Sequence, residues 1–261
     1  MTNLPSLFLS HGSPMLAIED SPAHRFLLEL GRKLPRPKAI LVASAHWESV
    51  AEPAVSLVPH PETMHDFGGF PAELYEIDYP ARGAPEAADR AATLLEQAGF
   101  AVKRSATRGL DHGAWVPLRL MYPAADIPVA QVSIVRGASP AIHEEMGKAL
   151  GQLRKEGVLI IGSGSLTHNL YEFRGHSMDA EVPSWVSDFD TWMKSQLESN
   201  QREALLNYRT RAPHAVRNHP TEEHLLPLFV AMGAAGDAPA AERLHASYEY
   251  GVLAMDAYAF S

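Results

Sequence analysis

Four short, almost continuously apolar runs alternate with longer segments of helical periodicity, and this alternation restricts the fold more than any other feature of the sequence. Brief runs rich in Val, Ile and Leu are typical of strands that are covered on both faces of a sheet. Strands that alternate with helices indicate an α/β layered fold. The runs are Leu4–Ser10, Ala39–Ala45, Val129–Val135 and Val158–Gly162. We therefore predict a central, mostly parallel sheet flanked by helices.

Three of the predicted helices have recognisable ends. The first has Ser139 as its N-cap and Pro140 at its first position, and Gly157 ends it. Its apolar stripe consists of Ile142, Met146, Leu150 and Leu153. The other two are Pro85–Gln97, which ends at Gly99, and Pro183–Ser199.

The chain contains no internal repeat, low-complexity tract or flexible linker, so residues 1–261 are expected to form one domain. The segment Pro59–Pro85 is rich in Pro, Gly and aromatic residues and is too irregular for a core element. Connections of that length are usually functional lids or binding loops. The tail Leu244–Phe260 is predicted to form a hairpin that turns near Gly251.

The charge and hydropathy of the chain argue against several classes of protein. A net charge of -9 disfavours electrostatic binding to nucleic acid or to an anionic membrane. No apolar run approaches the roughly 20 residues that a membrane helix needs. The start, Met1–Pro5, lacks a basic region followed by a signal-peptide core. We therefore expect a soluble, cytoplasmic protein, of an oligomeric state that the sequence does not indicate.

The chain has thirteen histidines and no cysteine, so any metal site must be built from histidines and carboxylates. His11, His46 and His168 each follow one of the predicted strands closely. Ligands of open α/β sheets bind beyond the carboxyl ends of the strands. Glycines beside these histidines, such as Gly162 and Gly164, would allow close approach of the backbone. Each histidine taken alone is explained as a strand-end cap, but three together favour a shared site.

A further candidate region precedes an apolar helical segment at 225–232, for which Thr221 is a plausible N-cap. His219 and His224 are five residues apart and would point to different faces of a regular helix, so at most one of them is expected to be a ligand. Glu222 and Glu223 are carboxylate alternatives. Acidic residues in a first helical turn have an ordinary explanation in the helix dipole, and we favour that explanation for these two.

His112 belongs to the last cluster, which lies in a loop or at the start of a helix. Two interpretations remain open: a structural histidine bonded to Asp111, or a polar contact in the same cleft. The remaining histidines, apart from His219, are expected to be surface or structural residues: His24, His60, His65, His143, His176, His214 and His245.

Six motifs, taken together and in this order, resemble one known family. They are Ser10-His11-Gly12-Ser13-Pro14, Ser44-Ala45-His46-Trp47, Asp66-Phe67-Gly68-Gly69-Phe70-Pro71, Gly109-Leu110-Asp111-His112-Gly113-Ala114-Trp115, Thr167-His168-Asn169-Leu170 and Glu223-His224-Leu225-Leu226-Pro227-Leu228. The set resembles the class III (LigB-type) extradiol ring-cleavage dioxygenases. Within them it is most similar to the DOPA 4,5-dioxygenase group, and the similarity covers nearly the whole chain.

The resemblance implies a role for each of five histidines. It implies that His11, His46 and His224 bind the metal, with His224 in the position where better-known class III relatives use a glutamate. His168 is implied to be the acid/base beside the metal, although a role as fourth ligand stays open. His112 is implied to contact the substrate or an intermediate.

The resemblance also implies a LigB-like fold and a reaction between O2 and a catechol such as DOPA, which gives a muconic-semialdehyde-type product. Fe(II) would support this reaction, whereas Zn(II) could fill the site in the purified protein but has no accessible redox couple. Phe67, Phe70 and Tyr75 are expected to shape the choice of substrate.

Two other functions remain open from the residues themselves. A zinc-dependent hydrolase could use the same histidine cluster to activate water, although the sequence has no HExxH motif. A binding protein could carry the same fold with structural histidines. Metal binding, and turnover of catechols as against esters or amides, would separate the three.

Overall fold

An eight-stranded sheet lies at the centre of the fold in the computed structural model, which describes residues 4–261. The expectation that Met1–Pro5 carries no signal-peptide pattern concerns, in part, residues 1–3, which lie outside the described residues. The strands are β1 Ser6–Ser10, β2 Ala39–Ser49, β3 Ala54–Ser56, β4 Lys103–Ser105, β5 Val129–Val135, β6 Val158–Gly164, β7 Ala241–His245, β8 Tyr248–Glu249, β9 Leu253–Ala254 and β10 Ala257–Phe260. The large sheet has the order β4-β3-β5-β2-β6-β1-β10-β7, and β8 pairs with β9.

The four central strands β5, β2, β6 and β1 are parallel to one another, whereas β10 and β7 add an antiparallel edge. At the other edge, β3 pairs antiparallel with β5 and parallel with β4. The predicted α/β fold with a central, mostly parallel sheet is confirmed. The carboxyl ends of the central strands consequently lie at one edge of the sheet.

Helices cover both faces of this sheet. They are α1 Pro22–Lys33, α2 Ala72–Tyr75, α3 Pro85–Gln97, α4 His112–Met121, α5 Pro140–Leu150, α6 Gln152–Glu156, α7 Ser184–Glu198, α8 Arg202–Leu206, α9 Tyr208–Arg211, α10 Ala215–Asn218 and α11 Leu226–Ala234. One face packs against α1 and α4, and the other packs against α3, α5 and α11. Along β2, Ile40 and Val42 face the first layer while Leu41 and Ala43 face the second. This two-sided burial explains why the strand sequences are apolar without alternation.

The second strand and the helix predicted to begin at Ser139 differ from the observed elements. Strand β2 runs past the predicted end and includes His46, with an irregular register against β5 between Ser44 and Glu48. The helix predicted from Ser139 to Gly157 is divided at Gly151 into α5 and α6.

The apolar stripe predicted for this helix is wrong at Ile142, which is exposed. Two glycines determine the buried face instead. A Cβ atom on Gly147 would lie 2.2 Å from the carbonyl oxygen of Val230, and one on Gly151 would lie 2.6 Å from that of Ala234. Helix α5 therefore packs against α11 backbone to backbone, which the apolar periodicity does not reveal.

Helix α11 lies equally close to β6. Cβ atoms on Gly162 and Gly164 would lie 2.1 Å and 2.0 Å from the carbonyl oxygens of Pro227 and His224. These glycines thus admit the start of α11 rather than a ligand, and the contact fixes the backbone of His224 against the sheet. The predicted cap at Thr221 is wrong, because the helix begins at 226.

The long connection and the tail follow the predictions more closely. Residues 59–84 are irregular apart from the short helix α2, and α3 begins at the next residue. The tail forms a hairpin of β8 and β9, in which Tyr250 and Gly251 have φ angles of 53° and 67°. None of the helices in residues 4–261 is both long and apolar enough to span a membrane.

Candidate metal centre and substrate pocket

Five histidines meet at the carboxyl edge of the parallel strands. His11 follows β1, His46 lies near the end of β2, and His168 follows β6. His112 is the first residue of α4, and His224 lies two residues before α11. The ring centroids are 4.9 Å apart for His11 and His46, 3.9 Å for His46 and His112, and 3.4 Å for His168 and His224. The structure therefore brings together all five histidines that the sequence singled out.

Three of these rings direct nitrogen atoms at one point. The Nε2 atom of His46 lies 3.0 Å from that of His11 and 3.3 Å from that of His224. One ring nitrogen from each of the three lies within 4.8 Å of the other two. Two further groups satisfy the same distance: His46 with Asp66 and His112, and His168 with Glu223 and His224.

Hydrogen bonds on the far side of two rings determine where their protons lie. The hydroxyl of Ser163 donates to the carbonyl oxygen of Gly113, so it accepts from Nδ1–H of His11, 2.9 Å away. The carboxylate of Glu223 accepts from Nδ1–H of His224, also at 2.9 Å. Both Nε2 atoms consequently keep a lone pair directed at the common point. Metal-binding histidines carry this kind of partner on their other nitrogen.

Burial keeps these rings neutral. Desolvation, and then the neighbouring imidazoles, hold the pKa values of His11 and His224 well below the ordinary value. Desolvation likewise lowers the pKa of His46 to about 4. The Nδ1 atom of His46 lies 3.7 Å from the carboxylate of Asp66. Three neutral imidazoles whose lone pairs converge fit a divalent cation such as Zn(II) or Fe(II).

His112 has a different partner from the one considered in the sequence. Its Nδ1–H and backbone N–H both donate to Oδ1 of Asp66, at 2.9 Å and 3.0 Å. Burial alone would raise the pKa of Asp66, but the hydrogen bonds from His112 outweigh it and lower this pKa well below the usual range. Asp111 instead caps α4 through the backbone N–H of Ala114. His112 therefore keeps Nε2 available on the pocket side.

The ring of His168 stacks on that of His224 with an interplanar angle of 9°. Within residues 4–261 its ring nitrogens form no hydrogen bond to protein. Desolvation lowers its pKa to about 4. The ring is thus neutral and available to a ligand.

A pocket of about 370 Å³ opens onto this cluster. Its lining includes His46, His112, His168 and His224. Phe67, Phe70 and Phe173 provide aromatic walls, and Leu170 and Arg174 also line it. The predicted binding loop thus contributes Phe67 and Phe70 directly, and Tyr75 packs on Phe67 with ring centroids 5.2 Å apart. The dimensions and aromatic lining suit a small aromatic ligand.

Sequence reasoning missed three contributors to this site. Asp66 stands in one of the quoted motifs, but nothing local indicates that it would reach His112, 46 positions further along the chain. Ser163 lies within an apolar run and carries no signal of its own. Arg174 follows His168 by six residues, and nothing in the local sequence indicates that it lines a pocket.

Comparisons with known proteins agree with this arrangement. The family model described as the catalytic LigB subunit of aromatic ring-opening dioxygenase matches residues 5–261. A Beta vulgaris protein named 4,5-DOPA dioxygenase extradiol is 46% identical over 260 residues, which cover 98% of this chain and 96% of that protein. A protein of the same name from Escherichia coli K12 is 42% identical over 236 residues, covering 89% and 86%. The crystal structure of an uncharacterized Escherichia coli K12 protein superposes with a TM-score of 0.83 at 34% identity, covering 99% of this chain and 100% of that one.

Proposed function

This chain belongs to the LigB family of aromatic ring-opening dioxygenases and is an extradiol ring-cleavage dioxygenase, and we propose that it opens the ring of a DOPA-like catechol at the histidine-lined pocket. The observation that carries the proposal is the convergence of three imidazole nitrogens, 3.0 Å and 3.3 Å apart, at the end of an aromatic-walled pocket.

His11, His46 and His224 would hold the metal. Among the three possible groups, this one is favoured because partners on the far side leave the Nε2 lone pairs of His11 and His224 free. In the other two groups, carboxylate oxygens of Asp66 and Glu223 already accept hydrogen bonds from ring nitrogens. We take the metal to be Fe(II), which when bound brings O2 and the electron-rich ring together and mediates electron transfer between them. Zn(II) would fill the same site without supporting the reaction.

The charge of the site favours an anionic diol. The three imidazoles are neutral at pH 7 because desolvation lowers their pKa values, so they contribute no negative charge. A site with a carboxylate ligand would be one charge more negative. A catechol that has lost one hydroxyl proton therefore fits the site better than it would fit such a triad.

His168 is the proposed acid/base. Its ring lies in the pocket beside His224, is neutral, and has no protein partner within residues 4–261. It would accept the proton of a catechol hydroxyl and return it as the ring opens. His112, which Asp66 holds through Nδ1, would present Nε2 to a ring oxygen. Cleavage beside the diol then gives a yellow muconic-semialdehyde-type product.

The test is ring opening by protein that is purified without oxygen and then loaded with one metal. Protein loaded with Fe(II) should turn a catechol yellow and consume O2, whereas protein loaded with Zn(II) should be inert with catechol. The variant His46→Ala should lose bound metal and activity, while His60→Ala, at an exposed position outside the pocket, should keep both. Ester or amide hydrolysis by the Zn(II) form, with no ring opening by the Fe(II) form, would contradict the proposal.

A further inference from the structure

Arg174 and Asp66 are the two residues with formally charged side chains that line the pocket, and they differ in their partners. Asp66 accepts two hydrogen bonds from His112. The guanidinium group of Arg174 makes neither an ion pair nor a hydrogen bond with the rest of residues 4–261. Arg217, from a neighbouring part of the fold, is by contrast paired with Glu172 at 2.6 Å. Arg174 is therefore free to bind a group that enters the pocket.

Arg174 differs from the histidines of the pocket in its exposure to solvent. His224 is buried at the base of the pocket, whereas Arg174 is exposed and thus lies at its rim. The chain from His168 to Arg174 links the two ends, and Phe173 lines the pocket next to the arginine. A ligand whose diol lies at the histidines and whose ring lies beside these phenylalanines would extend a substituent towards the part of the pocket that Arg174 lines.

We propose that Arg174 is a specificity-determining residue that binds the carboxylate of the substrate's side chain. The preferred substrates would be catechols whose side chain ends in a carboxylate, as opposed to neutral or cationic ones. The inference rests on the proposed function, because the histidine cluster decides which end of the ligand is buried. A guanidinium group matches a carboxylate with two parallel hydrogen bonds. It also offsets locally the repulsion of anions by a chain with a net charge of -9.

The first test compares substrates that differ only at the end of the side chain. kcat/KM is measured at low ionic strength for 3,4-dihydroxyphenylpropionate, for neutral 4-ethylcatechol and for dopamine. Arg174→Gln should lower kcat/KM for 3,4-dihydroxyphenylpropionate about 10-fold, mainly by raising KM. The reason is that Arg174 would bind the carboxylate of the substrate equally well in the ground state and in the transition state. The same variant should change kcat/KM for 4-ethylcatechol by less than about 2-fold and should not lower kcat/KM for dopamine. The effect on the carboxylate should shrink as salt is added.

Arg25→Gln is the matched control, because it makes the same change in net charge at an exposed arginine that lies outside the pocket. This variant should leave the substrate preference unchanged. Equal effects of the two variants would overturn the proposal, because they would show a response to net charge alone. Equal effects of Arg174→Gln on the carboxylated and the neutral catechol would also overturn it.

A second readout does not depend on turnover. The Kd of 3,4-dihydroxyphenylpropionate is measured by calorimetry for the Zn(II)-loaded protein, and Arg174→Gln should raise it about 10-fold. If the Fe(II) form opens no catechol but this change in Kd is found, the proposed reaction fails and the carboxylate site stands. If catechols are opened while neither Kd nor substrate preference responds to Arg174→Gln, the carboxylate site fails and the reaction stands.

Discussion

Replacing Ser163 with alanine tests whether the orientation of the His11 ring controls metal affinity. The hydroxyl of Ser163 is buried, accepts from Nδ1–H of His11 at 2.9 Å and donates to the carbonyl oxygen of Gly113. That carbonyl has no ordinary helical partner, because the residue four positions later in α4 is Pro117, which has no N–H. Ser163 thus supplies the missing donor, and this direction of donation obliges it to accept from His11.

The variant Ser163→Ala leaves two buried polar groups without partners. Each such group costs about 1–3 kcal/mol, so the free energy of unfolding of the metal-free protein should fall by about 2–6 kcal/mol. The ring of His11 also loses the contact that keeps its proton on Nδ1. Loss of such a partner typically weakens metal binding about 10–100-fold. Urea unfolding measures the first effect, and competition with a chelator for Zn(II) measures the second.

Ser133→Ala is the matched control. Ser133 is also buried, accepts from the backbone N–H of Ala54 at 2.9 Å and donates to the hydroxyl of Ser49 at 2.8 Å, but it contacts none of the five clustered histidines. It should lose stability without losing metal affinity. If Ser163→Ala binds Zn(II) as tightly as the parent protein while its stability falls, the link between ring orientation and metal binding is wrong.

Three further predictions concern other positions. His168→Ala should abolish oxygen uptake with catechol yet retain metal by elemental analysis, because the ring has no place among the three converging nitrogens; loss of metal would make it a ligand. Desolvation lowers the pKa of His143 to about 4 in the folded protein, so its neutral ring stabilises the fold fully above pH 6.5. About 3 kcal/mol of the contribution of His143 to the free energy of unfolding is lost as the pH falls to 4. The difference in unfolding free energy between the parent protein and His143→Gln should therefore shrink by about that amount. A difference that stays constant with pH would contradict this prediction. Gly164→Ala would place a Cβ atom 2.0 Å from the carbonyl oxygen of His224 and should cost more than about 4 kcal/mol in thermal unfolding, whereas Gly68→Ala, with no atom within 4 Å, should be near neutral.

The sequence was sufficient to predict that these histidines cluster, because parallel strands end at one edge of a sheet. Two of the clustered histidines, His11 and His168, follow strands, and that position alone indicates convergence. His46 lies inside β2 rather than after it, yet it is still near the same edge. A shift of this size along a strand does not move a side chain away from the edge, so the error did not affect the site.

The partners of these histidines could not be predicted, because they depend on packing between distant segments. Ser163 and His11 are 152 positions apart, and Asp66 reaches His112 from a connection that has little regular structure. Hydrophobic periodicity describes which face of an element is buried, and it carries no information on such contacts. It was also misleading for α5, where Gly147 rather than the exposed Ile142 lies on the packed face.

The two carboxylates that the sequence offered as alternatives to His224 have separate partners. Glu222 accepts a hydrogen bond from the hydroxyl of Tyr208 at 2.9 Å, whereas Glu223 accepts from Nδ1 of His224. The negative charge of Glu223 therefore lies one imidazole ring away from the converging nitrogens, where it would make His224 a more basic metal ligand. Compared with a direct carboxylate ligand, this arrangement keeps the negative charge near the site but removes it from the position nearest an incoming catechol anion. An anionic substrate would therefore be repelled less at the histidines and attracted by Arg174 at the rim of the pocket. The histidine cluster and the pocket rim thus both favour a negatively charged substrate.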